Sequence, residues 1–319
     1  MSTIDVPNPL PSPKEDAQEL KKAFEGLGTN EKVAIKILSR RTAEQRAEIR
    51  RAYAVLYKKS LLDRLQSELS GDFRKAMILW MMDPAERDAK LVHEALKKKG
   101  EKAMWVIIEV SCASTPDHLI AVRRIYRSLF FSSLEEDIAS SSLYKEPLRG
   151  FLVRLVSSYR YTDDYVMSEL AKFEASLLIN AIKKRELHDE DFLRIITTRN
   201  KSQLKATFLH YKRLSGKSID EDIDHHSSSQ FANMMIRAIW CLASPEKHFA
   251  EVIRYSIEGL GTDEDTLTRA IVCRAEIDMK RIKEEYKATF KTTVTCDVIG
   301  DTSGDYKEIL LTLVGSEEP

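Results

Sequence analysis

Lys59-Ser60-Leu61-Leu62-Asp63-Arg64-Leu65 is a stretch that returns three times in altered form. The later copies are Ser132-Ser133-Leu134-Glu135-Glu136-Asp137-Ile138, Lys217-Ser218-Ile219-Asp220-Glu221-Asp222-Ile223 and Thr292-Thr293-Val294-Thr295-Cys296-Asp297-Val298. With Ser60, Ser133, Ser218 and Thr293 as anchors, the separations are 73, 85 and 75 residues, so a single unit recurs four times along 319 residues. Each anchor is a hydroxyl residue followed by apolar and acidic positions, which is a helix-start pattern. An apolar helix follows each one. These are Met77-Ile78-Leu79-Trp80, Phe151-Leu152-Val153-Arg154-Leu155-Val156, Met234-Met235-Ile236-Arg237-Ala238-Ile239 and Ile309-Leu310-Leu311-Thr312-Leu313. As the most apolar part of its unit, each is expected to be the buried helix.

Further helix starts fill out the first unit. Ser12-Pro13-Lys14-Glu15 joins a cap, a proline in the first turn and an acidic third position. Gly26 marks the stop, and Thr42-Ala43-Glu44-Gln45 is another start. Val33, Ile37 and Leu38 give a one-sided apolar face. The expectation is about five helices per unit. The divisions are a tail at 1–12, units at 13–82, 83–156, 168–243 and 244–319, and a polar linker at 157–167.

Composition agrees with an all-helical chain. The hydrophobic fraction is 43%, while Gly and Pro number only 11 and 9, too few for turn-rich β structure. Lys plus Arg equals Asp plus Glu at 50 each, so there is no global attraction to nucleic acid, and none is expected as a partner. An acidic surface could be held only through a local patch or a bound cation. No apolar run approaches the roughly 18 residues of a spanning helix. The N-terminus lacks a basic region with an apolar core, and Cys112, Cys241, Cys273 and Cys296 lie far apart; both point to a cytoplasmic protein without a leader.

The first and fourth units share a loop: Phe24-Glu25-Gly26-Leu27-Gly28-Thr29-Asn30-Glu31 and Ile257-Glu258-Gly259-Leu260-Gly261-Thr262-Asp263-Glu264. Two glycines alternate with an apolar residue, and the Thr is expected to cap the next helix. Glycine admits positive φ, so such a loop can turn several carbonyl oxygens outward, the hard ligands calcium prefers. An acid lies 40 positions after the second glycine in both units, Glu68 and Asp301.

These features resemble the annexin calcium loop, G-x-G-T with a carboxylate downstream. The fourfold spacing is similar to that of the family too, most closely its plant branch. The resemblance implies an all-α protein of four five-helix repeats in a curved, slightly convex array, binding Ca2+ and, through it, acidic phospholipid membranes. It implies carbonyl ligands at Phe24, Gly26 and Gly28 with carboxylate Glu68, and at Ile257, Gly259 and Gly261 with carboxylate Asp301. Secondary sites fall at Thr29 with Glu31 and at Thr262 with Glu264, and Leu27 and Leu260 are the membrane-dipping tips. Three carbonyls and one bidentate carboxylate give about five oxygens where calcium takes roughly 6–8, leaving room for a lipid phosphate. The protein would sit on membranes peripherally when calcium rises, where copies of it could associate with one another.

The second and third units carry Leu96-Lys97-Lys98-Lys99-Gly100-Glu101-Lys102 and Lys183-Lys184-Arg185-Glu186-Leu187-His188-Asp189 at the loop position, so no calcium is expected there. Glu25 and Glu258 stand where the family commonly has a basic residue, and Leu27 where plant members often carry Trp. Cys112 and Cys241 resemble a paired-sulfur feature of plant annexins and form a candidate redox pair. Asp88, Glu109 and Arg269 match polar residues of the family's central channel, although Ser114 replaces a customary Arg. Ion conduction or calcium signalling at membranes is therefore an alternative reading. A weak nucleotide hydrolase or peroxidase is another, but catalysis is not expected. No G-x-x-x-x-G-K-[ST] loop exists, Asp301-Thr302-Ser303-Gly304 is only a short D-x-x-G match, and Arg40 or Arg41 stands where plant relatives often have His. His225 and His226 are expected in a solvated polar loop.

Overall fold

The structure is a computed structural model that describes residues 1–25, 28–259 and 261–316. Among these, all regular structure is helical, in twenty α-helices and one π-helical turn. The helices form four successive sets of five and divide between two compact units.

One unit joins Met1–Pro84 to Glu246–Pro319, the two ends of the sequence. Its first set is α1 (Pro13–Ala23), α2 (Glu31–Leu38), α3 (Ala43–Tyr57), α4 (Leu61–Glu68) and α5 (Gly71–Met81). The last set of the chain is α16 (Pro245–Ile257), α17 (Glu264–Arg274), α18 (Met279–Phe290), α19 (Val294–Asp301) and α20 (Gly304–Val314). The apolar helices α5 and α20 pack on each other, and α5 also lies along α17. Met77, Trp80, Met81, Ile309, Leu310 and Leu313 are fully buried there. Each contributes about 1.5–3 kcal/mol by leaving water.

Polar groups inside this core are paired. Trp80 donates its indole N–H to the Leu38 carbonyl at 2.8 Å, and the Arg46 guanidinium lies 3.5 Å from the Trp80 ring centre. Arg46 also reaches Glu276 at 2.9 Å, tying α3 to the far end of the sequence. Arg41 holds Asp16 through two bonds of 2.8 Å in a buried fork. The tail is pinned as well. Thr3 donates its N–H to the Ala275 carbonyl at 2.9 Å and its hydroxyl to the Leu313 carbonyl at 2.5 Å.

The other unit, Ala85–Pro245, is continuous in sequence. It holds α6 (Pro84–Ala95), α7 (Glu101–Ile108), α8 (Pro116–Phe130), α9 (Leu134–Ser140), α10 (Leu148–Ser157), α11 (Ser168–Lys184), α12 (Glu190–Thr198), α13 (Lys201–Ser215), α14 (Ile219–His226) and α15 (Gln230–Ala243). The π-helical turn, Glu109–Ala113, extends α7 and packs against α15. Residues 158–167 run without a helix between α10 and α11.

Capping explains where the helices begin. Reciprocal side-chain and backbone bonds link Ser12 with Glu15, Thr42 with Gln45, Ser133 with Glu136 and Ser218 with Glu221. One expectation changes: His225 and His226 form the last turn of α14 rather than a loop. Ser218 starts that helix and its apolar Ile219 and Ile223 are buried, so the pattern carries the helix through both histidines.

Candidate functional site

The two Gly-x-Gly-Thr loops join α1 to α2 and α16 to α17. Gly26, Leu27 and Leu260 lie outside the described residues, so their expected roles as a ligand and as membrane tips are not described. The flanking backbone is alike in both loops. Asn30 donates its N–H to the Ala23 carbonyl at 2.9 Å, and Asp263 does the same to Ser256 at 2.7 Å. Gly28 and Gly261 adopt φ of 97° and 91°, where a side chain would be strained. Gly259 has φ of 121°. Phe24 and Ile257 are buried at the starts of the loops.

The expected capping role of the threonines is corrected. The caps are one residue later: Asn30 accepts from the Val33 N–H at 3.3 Å, and Asp263 from the Thr266 N–H at 3.2 Å. A shorter reach to the third helical N–H favours these Asx side chains. The threonines instead bond to the downstream acids. Thr29 donates its hydroxyl to Glu68 Oε2 at 2.6 Å, across 39 positions of sequence. Thr262 donates to the Asp301 backbone carbonyl at 3.0 Å. Both acids therefore come to their loops, Glu68 by its carboxylate and Asp301 by its main chain. Each ends its helix, α4 or α19, and is followed by a turn into the buried α5 or α20.

A cation already bridges the first loop. The Arg64 guanidinium donates from Nη2 to the Phe24 carbonyl at 2.7 Å and pairs with Glu68 Oε1 at 2.9 Å. A carbonyl and a carboxylate oxygen thus converge on one positive group. This donor set suits a hard cation. No group of three His, Cys, Asp or Glu clusters as a metal site among the described residues.

In the fourth set, the position of Arg64 is filled by Asp297. Tyr286 donates its hydroxyl to Asp297 at 2.6 Å, Thr292 donates at 3.0 Å, and Arg254 stands 3.3 Å away. Tyr126 to Asp137 at 2.6 Å and Tyr211 to Asp222 at 2.8 Å repeat the motif. Among the described residues no side chain pairs with the Asp301 carboxylate or donates to the Ile257 carbonyl. Arg64 went unnoticed in the sequence although the signal was there. At the fourth position after each anchor stand Arg64, Asp137, Asp222 and Asp297.

Glu31 and Glu264, the expected secondary ligands with Thr29 and Thr262, begin α2 and α17. Together with Glu68, Asp72, Asp301 and Asp305 they line an open acidic cleft of about 350 Å³. Glu25 pairs with Lys21 at 2.7 Å, and Glu258 with Arg254 at 3.4 Å, so each loop acid is partly neutralised from one turn earlier.

The lysine-rich second loop runs from the end of α6, and Gly100 at φ of 103° starts α7. The third turns at Arg185, φ 62°. Cys112 and Cys241 are free and buried, in the π-helical turn and in α15. Burial pushes the Cys112 thiol up, which disfavours the reactive thiolate. Asp88, Glu109 and Arg269 are buried. Burial raises Asp88, and Arg87 at 3.0 Å with His118 at 2.8 Å more than offsets it, holding the carboxyl below its ordinary range. Burial pulls Arg269 down to about 10. Ser114 stands where Arg41, Arg199 and Arg274 pair with buried carboxylates, and its carbonyl accepts from Lys201 at 2.9 Å.

Comparison with known proteins settles the family. The annexin family model matches residues 15–80, 173–237 and 248–313. The chain belongs to the annexin family. Annexin D3 of Arabidopsis thaliana is 48% identical over 322 residues, spanning 99% of this chain and 100% of that protein. Among solved structures, annexin III superposes with a TM-score of 0.90 at 32% identity, covering 99% of this chain and 98% of that one. A calcium-bound annexin (Sm)1 superposes at 0.86 with 28% identity, covering 100% and 94%. Annexins are known for calcium-dependent phospholipid binding, and homologues of this annexin bind Ca2+. No helix among the described residues is long and apolar enough to cross a membrane.

Proposed function

We propose that this annexin binds acidic phospholipid membranes through calcium held at its first and fourth repeats. The observation that carries the reading is the return of Glu68 to its loop, where Thr29 fixes one carboxylate oxygen and the Phe24 carbonyl shares a cation with the other. Phe24, Gly26 and Gly28 would offer carbonyls, and Glu68 its carboxylate. Ile257, Gly259, Gly261 and Asp301 would do the same in the fourth repeat. Bound there, calcium supplies coordination positions that the protein leaves to a lipid phosphate. Protein and membrane then each raise the affinity of the other for the ion. Leu27 and Leu260 would enter the interface beside the headgroups. A solved annexin of the same fold that carries calcium supports the choice of ion.

Sedimentation with liposomes containing phosphatidylserine tests this. Binding should appear with calcium, vanish with chelator, and be lost in the double variant Glu68→Ala, Asp301→Ala. Binding that ignores calcium would overturn the reading and favour the lysine-rich loops around Lys98 and Lys184.

A further inference from the structure

The Arg64 side chain is an arginine inside the arrangement that, on the reading above, receives calcium. Its Nη2 lies 2.7 Å from the Phe24 carbonyl and 2.9 Å from Glu68 Oε1. Both are oxygens assigned to the ion. A guanidinium and a calcium ion cannot share that position, because each needs the same lone pairs and both are positive. The contact is local to the first repeat. Asp137, Asp222 and Asp297 occupy the same place in the others, and each accepts a tyrosine hydroxyl instead. Tyr53, the counterpart of those tyrosines, is buried, and the position eleven residues after it is Arg64 itself rather than an acid.

We propose that Arg64 is a built-in competitor for calcium in the first repeat, so that the ion enters only as the guanidinium leaves. This inference rests on the calcium reading of the loops. The exchange is feasible because Arg64 is no core residue. Its side chain is 28% exposed and its Nε has no hydrogen-bond partner, so the head can swing to water without stranding a satisfied network. Thr29 keeps Glu68 Oε2 in place during the exchange, so the carboxylate stays aimed at the loop. Among the described residues the fourth repeat has no such competitor at Asp301, and its loop fills first. Calcium loading is therefore a two-step event, with the first repeat joining at a higher calcium level or once a membrane supplies further ligands.

Calcium titration calorimetry on the full chain tests this. Asp301→Ala isolates the first loop, and adding Arg64→Gln should tighten its calcium affinity by about fivefold to tenfold, the weight of a partly exposed charge-assisted contact. Lys22→Gln removes the same charge from the end of α1 without touching Glu68, and should change the affinity less than about twofold. An unchanged or weaker affinity in Arg64→Gln, or an equal gain in Lys22→Gln, overturns the proposal. Arg64→Met serves as a second uncharged variant, with circular dichroism confirming helicity. In chelator, Arg64→Gln should also melt below the parent, while calcium should raise its melting temperature further than the parent's. The triple readout separates two failures: calcium binding that survives in Glu68→Ala, Asp301→Ala sinks the loop assignment itself, whatever Arg64 does.

Discussion

The first and fourth repeats carry the same Gly-x-Gly-Thr letters, yet different groups face the two loops. In the first, Glu68 is engaged on both oxygens, by Thr29 and by Arg64. In the fourth, Thr262 touches only the main chain of Asp301, and the neighbouring Asp297 is occupied by Tyr286, Thr292 and Arg254. A motif shared by two repeats thus fixes backbone shape, while one position on the preceding helix decides how available the carboxylate is.

The same contrast extends into the core, where the largest difference between the repeats is expected. Arg41 depends on Asp16 alone for a buried partner carboxylate, whereas Phe249 stands at the Asp16 position in the fourth repeat. There Arg274 pairs with Asp278 one turn on, and its guanidinium lies 4.5 Å from the Phe249 ring centre. Asp16→Ala should cost about 3–5 kcal/mol by leaving a buried guanidinium unpaired. Asp278→Ala should cost less because the ring contact survives. Chemical denaturation of the full chain measures both, and equal losses would erase the distinction.

Next in size is the calcium requirement of membrane binding. Asp301→Ala alone should raise the calcium midpoint for liposome sedimentation by about tenfold, since the unobstructed loop is lost. Glu68→Ala should raise it by only about threefold. The reverse order would place the stronger site in the first repeat.

A smaller effect distinguishes the tyrosines. Tyr286→Phe removes a bond to a carboxylate and should destabilise the protein by about 1–2 kcal/mol. Tyr53→Phe, with no such bond, should cost less than about 0.5 kcal/mol. Smallest of all is Lys75, which spans from Asp72 of the first repeat to Asp265 of the fourth, both at 3.1 Å, on an exposed surface. Lys75→Met should change stability by less than about 0.5 kcal/mol.

Much of this was legible in the sequence. The four anchors and the apolar helices after them specify repeats because amphipathic period and capping chemistry are local properties. The acids 40 positions beyond the glycines were legible for the same reason: equal spacing in two repeats implies equal placement. What escaped were side-chain choices made between elements. Asn30 and Asp263 take the caps from Thr29 and Thr262, because the hydroxyls find acids brought near only by folding. The reach of Arg64 across to Phe24, 40 residues earlier, is likewise a tertiary event. Its sequence mark was only a change of sign at an aligned position. Residues 1–12 are legible only as a tail, and the bond from Thr3 to the last helix, α20, is a tertiary contact with no local mark in the sequence.

The unit that holds both Gly-x-Gly-Thr loops is made from the two ends of the sequence, with Ala85–Pro245 intervening. During synthesis, α5 emerges long before α17 and α20, the helices that bury it. The continuous middle unit can therefore complete its core on the ribosome while the first repeat waits with its apolar helix uncovered. Closing so long a loop costs little extra entropy but much time. Newborn chains would be most prone to capture by chaperones in that interval.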